Sequence, residues 1–169
     1  LRKLLGLVTQ DSILFNDTVK GNLLIANKNA SDEEIIDALK IANAWEFVEL
    51  LPKGIESNIG DSGNKLSGGQ KQRLSIARAL IRNPKLLILD DCLSAVDTET
   101  EEIILDNLKK TKSTTSLVVS HRISSIRNAS QIINIEDGSV IEYGTHQELM
   151  SLNGIYAEMY KKQLTEENA

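Results

Sequence analysis

The sequence is poor in cysteine and in positive charge, and it has no long apolar run. Its single cysteine, Cys92, excludes an intrachain disulfide. No uncharged apolar stretch approaches the ~18–20 residues that a membrane-spanning helix needs. The 19 Lys and Arg are outnumbered by 24 Asp and Glu, which leaves a net charge of −5. That balance argues against a protein held on nucleic acid or on an anionic membrane by bulk charge.

What is present is enough chain for about one globular domain. The 169 residues fall within the ~100–200 residues of a typical domain. Residues 16–83 are predicted to be mainly helical, with a capping box at Ser31–Glu34 and a loop over the glycine-containing segment 54–66. Buried positions of the helix after Ser31 are expected at Ile35, Leu39 and Ala42. A further helix is expected from Ser67 to about Arg82, where Asn83-Pro84 ends it.

After Pro84 the pattern alternates between strand and helix. Unbroken apolar runs such as Leu86–Leu89 are typical of strands covered on both faces in a parallel sheet. The other expected strands are Leu4–Val8, Ser116–Val119 and an Asp-Gly hairpin of Gln131–Ile135 with Val140–Tyr143. Helices are expected at Thr98–Lys110, with Ile104 and Leu108 facing inward, and at Ile123–Arg127. A capping box at Thr145–Glu148 begins further helices, which run to about Leu164. The tail, Thr165–Ala169, is expected to be frayed. The alternation predicts an α/β fold.

The first candidate site is Ser67-Gly68-Gly69-Gln70. One interpretation is a helix start, with Ser67 and Gln70 as a capping box. That interpretation leaves two adjacent glycines unexplained, since each costs roughly 1 kcal/mol relative to alanine in a helix. A glycine-rich helix N-terminus also suits a phosphate group. Both interpretations stay open on this segment alone.

The second candidate site lies at strand ends. Asp90 and Asp91 follow one apolar run and His121 follows another. Ligands of open α/β sheets bind beyond the carboxyl ends of strands. Two carboxylates there suit Mg²⁺ and the orientation of a water. The alternatives are a solvated acidic loop or helix caps for the aspartates, and a structural role for the histidine.

Together these segments resemble the nucleotide-binding domain of an ABC transporter. Ser67–Gln70 resembles the signature motif, Leu86–Asp90 the Walker B strand, Ser94–Asp97 the D-loop and His121 the switch histidine. Val8–Val19, which contains Gln10, is similar to the Q-loop region of exporters. Ile59–Gly63 is similar to the exporter segment that touches coupling helices, with Asp61 where glutamate is usual.

The resemblance implies an incomplete P-loop NTPase (RecA-like) core with an inserted α-helical subdomain. Residues 1–15 would be core strand and Q-loop, 16–83 the helical subdomain, and 84–169 the later half of the ATP-binding core. The implied cofactors are ATP and Mg²⁺. Asp90 and Gln10 would contact Mg²⁺, and Gln10 the attacking water. Asp91 and His121 would be catalytic.

The implied partners follow from the same resemblance. Ser67, Gly68, Gly69 and Gln70 would close on ATP bound to the opposite domain of a head-to-tail dimer, with Asp97 supporting the interface. A transmembrane domain of the same parent chain would be the second partner, and no nucleic acid is expected. The parent would couple ATP hydrolysis to export from the cytoplasmic face of the cell membrane.

The sequence departs from the family pattern at two points. Asp91 stands where glutamate is usual, and the shorter side chain withdraws the carboxylate by about 1 Å. A displacement of that order can cost ~100-fold in rate. This shortening motivates the hypothesis that the ATP-hydrolysing site is catalytically weak in one half of a heterodimeric exporter. The alternative is that Asp91 works well enough as the base.

The second departure is that no G-x-x-x-x-G-K-[ST] motif occurs in the chain. We expect that motif upstream of Leu1, and we expect the polypeptide alone to be inactive. Alternative functions are a soluble ABC ATPase of DNA repair or translation, and a non-catalytic interaction module. The remaining candidates, His146, Cys92, Trp45 and Tyr156, are expected to be structural.

Overall fold

The structure, a computed structural model, describes residues 4–111 and 113–167. Their contacts divide the chain into a first unit that ends at Val119 and a second that begins at Ser120. The first unit contains β1 (Leu5–Val8), α1 (Val19–Leu24), α2 (Asp32–Ile41), α3 (Trp45–Glu49), α4 (Gly68–Leu80), β2 (Leu86–Asp90), α5 (Thr98–Lys110) and β3 (Thr115–Val119). The second contains α6 (Ile123–Ile126), β4 (Ile132–Glu136), β5 (Ser139–Gly144), α7 (His146–Leu152) and α8 (Ile155–Glu167).

The first unit is built on a three-stranded parallel sheet in the order β1-β2-β3. Val8, Leu87 and Leu89 point to one face and join the same apolar cluster as helical residues such as Ile76 and Ile104. The parallel sheet confirms the expectation from the apolar runs. The expectation that both faces of this sheet are covered is wrong for the described residues, because their helices cover only one face of the sheet. The exposed apolar residues of the uncovered face are Leu5, Leu7, Leu86, Leu117 and Val119.

Local sequence signals place the helices well. The two predicted capping boxes form, at Ser31–Glu34 and Thr145–Glu148, and so does the box that is one interpretation of Ser67–Gln70. The expected inward residues of the helices after Ser31 and Asp97 are buried: Ile35, Leu39, Ala42, Ile104 and Leu108. Helix α4 ends at Leu80, slightly before the predicted end, ahead of a left-handed Asn83 and the following proline. The predicted loop 54–66 holds two 3₁₀ turns, Gly54–Glu56 and Asp61–Gly63.

The second unit is an antiparallel hairpin with three helices. Asp137 and Gly138 both have positive φ, 49° and 75°, as the predicted two-residue hairpin turn requires. The buried apolar cluster of this unit consists of Ile123, Ile132, Leu149 and Tyr156. The expected frayed tail is wrong for residues 165–167, which continue α8. There the Thr165 hydroxyl donates to the Lys161 carbonyl at 2.9 Å, and the last two residues lie outside the described part of the chain.

Within the described ranges, no helix has the length and apolarity needed to cross a membrane.

Candidate functional site

Three predicted site residues of the first unit lie at one edge of the sheet. Asp90 is the last residue of β2, and Asp91 follows it with its N–H donating to the Val119 carbonyl at 2.9 Å. Gln10 is exposed two residues beyond Val8, whose strand pairs with β2 through Val8 and Leu89. Parallel strands end at the same edge. Gln10, Asp90 and Asp91 are therefore brought to one side of the sheet.

The backbone at Asp91 is left-handed, with φ of 45°. Aspartate and asparagine visit this region more readily than other side chains, because a short polar group can bond locally. Glutamate at this position would adopt the same left-handed backbone conformation at a higher cost in free energy. The local conformation therefore favours the residue that the chain carries, aspartate, over the longer glutamate.

The glycine-rich segment forms the N-terminus of α4. The Gln70 N–H donates to the Ser67 hydroxyl at 3.3 Å, and the Ser67 N–H donates to the Gln70 side-chain oxygen at 2.9 Å. The capping interpretation is thus confirmed. Helix geometry leaves the N–H groups of Gly68 and Gly69 without intrahelical acceptors, so the cap does not remove the capacity to bind an anion.

The two glycines are not equivalent. A Cβ added at Gly69 would lie 2.9 Å from the backbone oxygen of Ala95, whereas one at Gly68 would meet only the Ala95 Cβ at 3.6 Å. Ala95 belongs to the loop after β2. The missing side chain of Gly69 therefore lets this loop approach the first turn of α4.

Arg73, one turn further along α4, ties the helix to its neighbours. Its Nη1 donates to the Asn43 carbonyl at 2.7 Å, and its guanidinium lies 4.9 Å from the centre of the Phe47 ring. Burial lowers the pKa of Arg73, while the carboxylates of Asp97 and Glu46 act in the opposite direction. Stacking and hydrogen bonding together fix the orientation of α4.

Asp97 is the N-cap of α5. Its carboxylate accepts the Thr100 N–H at 2.9 Å. Hydrogen bonds from the Thr100 backbone and side chain lower the pKa of Asp97, and Arg73 contributes in the same direction. The side chain is exposed, so capping leaves it accessible.

His121 belongs to the second unit, two residues after β3 ends. Its backbone carbonyl accepts a hydrogen bond from the Gln163 side chain of α8 at 2.7 Å. The neighbouring Ser120 hydroxyl accepts the Arg122 N–H at 3.0 Å. The segment that carries His121 is thus anchored inside the second unit.

Segments 12–19 and 57–63 lie side by side in the first unit. The Ile59 N–H donates to the Asp17 carbonyl and the Val19 N–H to the Ser57 carbonyl, both at 3.1 Å. Ile13 is 67% exposed. The two segments that resemble exporter contact regions therefore form one surface with an apolar residue on it.

Two buried amides carry contacts that sequence reasoning did not assign. Asn22 is fully buried; its Oδ1 accepts the Phe15 N–H at 2.8 Å, and its Nδ2 donates to the Phe15 carbonyl at 3.1 Å. Gln72 is 5% exposed, and its Oε1 accepts the Ala95 N–H at 3.2 Å. Asn22 follows segment 12–19 and Gln72 follows Ser67–Gln70, but no periodic or capping pattern in the sequence indicates their role.

The candidates expected to be structural have ordinary surroundings. His146 Nδ1 lies 2.7 Å from the Tyr156 hydroxyl, and burial raises the pKa of Tyr156. Trp45 packs partly buried against the core of the first unit. Cys92 is buried, and desolvation raises its pKa to about 12.

The acidic edge is not a complete protein cage for a metal. No group of three or more His, Cys, Asp or Glu side chains is arranged for metal binding among the residues that the structure describes. Magnesium is commonly held by one or two carboxylates together with substrate phosphates and water. Asp90 and Asp91 fit that mode of binding.

Comparison with known proteins gives consistent matches. The model of the family described as ABC transporter matches residues 1–94. Two proteins named for multidrug export, ATP-binding/permease proteins of Staphylococcus aureus strains NCTC 8325 / PS 47 and COL, are each 51% identical over 166 residues, 96% of this chain. The chain spans 28% of the length of these relatives.

A solved structure, a bacterial Atm1-family ABC exporter with ATP bound, matches with a TM-score of 0.90 and 41% identity. The match covers 96% of this chain and 29% of that chain. The fold is thus that of a P-loop NTPase core, incomplete in these residues, as expected. With a family model matching more than half of its residues, the chain belongs to the ABC transporter family.

Proposed function

We propose that this chain is part of the ATP-hydrolysing domain of an ABC exporter, in which ATP binding and hydrolysis drive transport across a membrane. The observation that carries the proposal is the contact between the glycine-rich start of α4 and the loop that follows the acidic end of β2. A phosphate-binding helix start and an acidic strand edge are thereby linked in one unit. The names of the relatives support export over DNA repair or translation.

The roles of the site residues are part of the proposal. Asp90 holds Mg²⁺, whose charge neutralises the phosphates during phosphoryl transfer. Gln10 orients the attacking water near that ion. Asp91 is the general base, and His121 contacts the γ-phosphate.

The dimer contacts belong to the proposal as well. Ser67–Gln70 bind the γ-phosphate of ATP held by a second nucleotide-binding domain, through the helix N-terminus. Asp97, exposed at the start of α5, supports that interface. The surface formed by segments 12–19 and 57–63 contacts the transmembrane domain, and we propose the cytoplasmic face of the membrane as the location of the chain.

The proposed domain division follows the same reasoning. Residues 1–15 supply a core strand and Q-loop, residues 16–83 the helical subdomain, and residues 84–169 the later half of the ATP-binding core. The described part of 16–83 contains helices and turns apart from an isolated bridge between Thr18 and Asn58, which supports its assignment.

A chimera tests the function. This chain replaces the matching 166 residues of one of the S. aureus relatives, and the unmodified relative serves as the positive control. We expect the chimera to hydrolyse ATP, and Asp91→Asn to abolish the activity. A folded chimera that binds ATP but does not hydrolyse it, while the relative does, would contradict the proposal.

Asp91 and the intact glycine-rich segment favour a second, narrower proposal: a weak site in one half of a heterodimer. Asp91→Glu is then expected to raise kcat of the chimera by about tenfold or more, since about 1 Å of reach is restored. A chimera homodimer that already hydrolyses ATP as fast as the relative would overturn this reading.

The 169 residues contain no G-x-x-x-x-G-K-[ST] segment, so they lack the lysine and backbone cradle that grip the phosphates. We therefore propose that this polypeptide alone neither binds Mg-ATP usefully nor hydrolyses it. Isothermal titration with Mg-ATP tests this, and tight binding would contradict it.

A further inference from the structure

Gln72 places a buried amide between two parts of the candidate site. It lies in the second turn of α4 and is only 5% exposed. Its side-chain oxygen accepts the N–H of Ala95, 23 residues further along the chain, at 3.2 Å. A buried amide needs hydrogen-bonding partners, and this one finds a partner in a loop outside its own helix.

The same loop is seated against α4 at neighbouring positions. The Ala95 oxygen lies where a Gly69 side chain would begin, and the Ala95 Cβ lies in ordinary contact with the position of a Gly68 Cβ. Gly68, Gly69 and Gln72 share one side of the helix, since residues three and four apart are neighbours on a helix surface. The tip of the loop therefore rests on the turn that carries the proposed phosphate contacts.

The loop is also fixed to Asp91. The Ser94 hydroxyl donates to the Asp91 carbonyl at 3.1 Å. Leu93 and Val96, on either side of the tip, are each 5% exposed. Ala95 itself is exposed, and the Gln72 hydrogen bond and the Gly69 contact hold it against the helix.

We propose that Gln72 is a positioning residue for ATP hydrolysis: by holding Ala95, it keeps the Asp91 loop in register with the Ser67–Gln70 turn. In this role Gln72 acts through Ala95 and not on the nucleotide directly. The inference rests on the proposed function for its consequence in catalysis, but the contact itself can be tested without ATP.

The first experiment is amide hydrogen exchange on the full 169-residue chain, read at single residues by NMR. Gln72→Met removes the acceptor at similar side-chain length, and Gln72→Glu keeps an acceptor. Because one hydrogen bond contributes a factor of about five to ten, Ala95 should exchange about five- to tenfold faster in Gln72→Met. In Gln72→Glu it should stay slow, and the amides of β2 should not change in either variant.

Lys71→Met is the matched control, a similar change one residue away. Equal exchange of Ala95 in all the chains would overturn the contact. If Gln72→Met does not fold, Gly69→Ala serves instead, because its Cβ would lie 2.9 Å from the Ala95 backbone oxygen and displace Ala95 from the helix. It should speed the exchange of the same amide, and unchanged exchange there would equally overturn the contact.

The second experiment measures ATPase kinetics in the chimera. Gln72→Met should lower kcat at least about tenfold with KM changed less than about twofold, because a misplacement near 1 Å acts on the chemical step. Gln72→Glu should restore most of kcat. A chimera that is inactive with native Gln72 contradicts the proposed function and leaves the exchange result standing. An active chimera with unchanged kcat in Gln72→Met overturns the positioning role.

Discussion

Replacing Gly69 by alanine is expected to destabilise the first unit, although alanine is the better helix former. The new Cβ would lie 2.9 Å from the Ala95 backbone oxygen and 3.7 Å from the Val96 Cα. Overpacking against groups that cannot rotate away costs about 1–3 kcal/mol. Alanine returns up to about 1 kcal/mol of helix propensity. The expected net loss is therefore about 1 kcal/mol in the free energy of unfolding.

Gly68→Ala is the matched control, because the same change one residue earlier meets only an ordinary contact at 3.6 Å. It should keep the helix gain and stabilise the unit by up to about 1 kcal/mol. The two variants should thus differ by about 2 kcal/mol in opposite directions from the wild type.

Urea unfolding followed by Trp45 fluorescence is the assay. Trp45 is the single tryptophan of the chain and packs against the core of the first unit. Its signal therefore reports unfolding of the unit that contains Gly68 and Gly69. If Gly69→Ala proved as stable as Gly68→Ala, the loop would not be seated on Gly69, and the packing argument would fail.

The remaining predictions concern other groups of the first unit. Asn22→Leu should lower the free energy of unfolding by about 2 kcal/mol in the same urea assay, since Phe15 N–H and its carbonyl lose a buried partner; a change below about 0.5 kcal/mol would contradict this. Cys92, with a pKa of about 12 and 1% exposure, should react with a thiol reagent at pH 8 only after unfolding, and rapid labelling of the native chain would refute its burial. The folded-state pKa of Asp97 is lowered. Its contribution to the free energy of unfolding is therefore present above the unfolded-state pKa and is lost as the pH falls through the folded-state pKa. Asp97→Asn should therefore reduce the acid sensitivity of urea unfolding below about pH 4, and an unchanged pH profile would argue against the cap.

Much of the fold follows from local signals in the sequence. Ser31, Ser67 and Thr145 each precede a glutamate or glutamine by three residues, and each capping box forms because both groups lie within one helical turn. The parallel pairing of the strands is indicated by apolar runs separated by helices. These signals are short-range, because the residues that interact lie within a few positions of each other in the sequence.

The contacts that organise the candidate site are of a different kind. Gln72 and Ala95 are 23 residues apart, and Asn22 holds a turn seven residues before it. Neither amide repeats with a helical or strand period, so sequence reasoning had no rule by which to assign them. The left-handed backbone of Asp91 is equally invisible before folding, although aspartate is one of the residues that tolerates it.

The glycines of α4 show why function and packing cannot be separated by sequence alone. Adjacent glycines at a helix start suggested a phosphate site, because they leave the backbone N–H groups accessible. The structure gives Gly69 a second reason to lack a side chain, the approach of Ala95. Loss of ATPase activity in a Gly69 variant would therefore not by itself demonstrate a phosphate contact. Gly68→Ala is the more informative variant: its side chain would make only an ordinary 3.6 Å contact with Ala95, so an activity loss without loss of stability would not be explained by displacement of the loop.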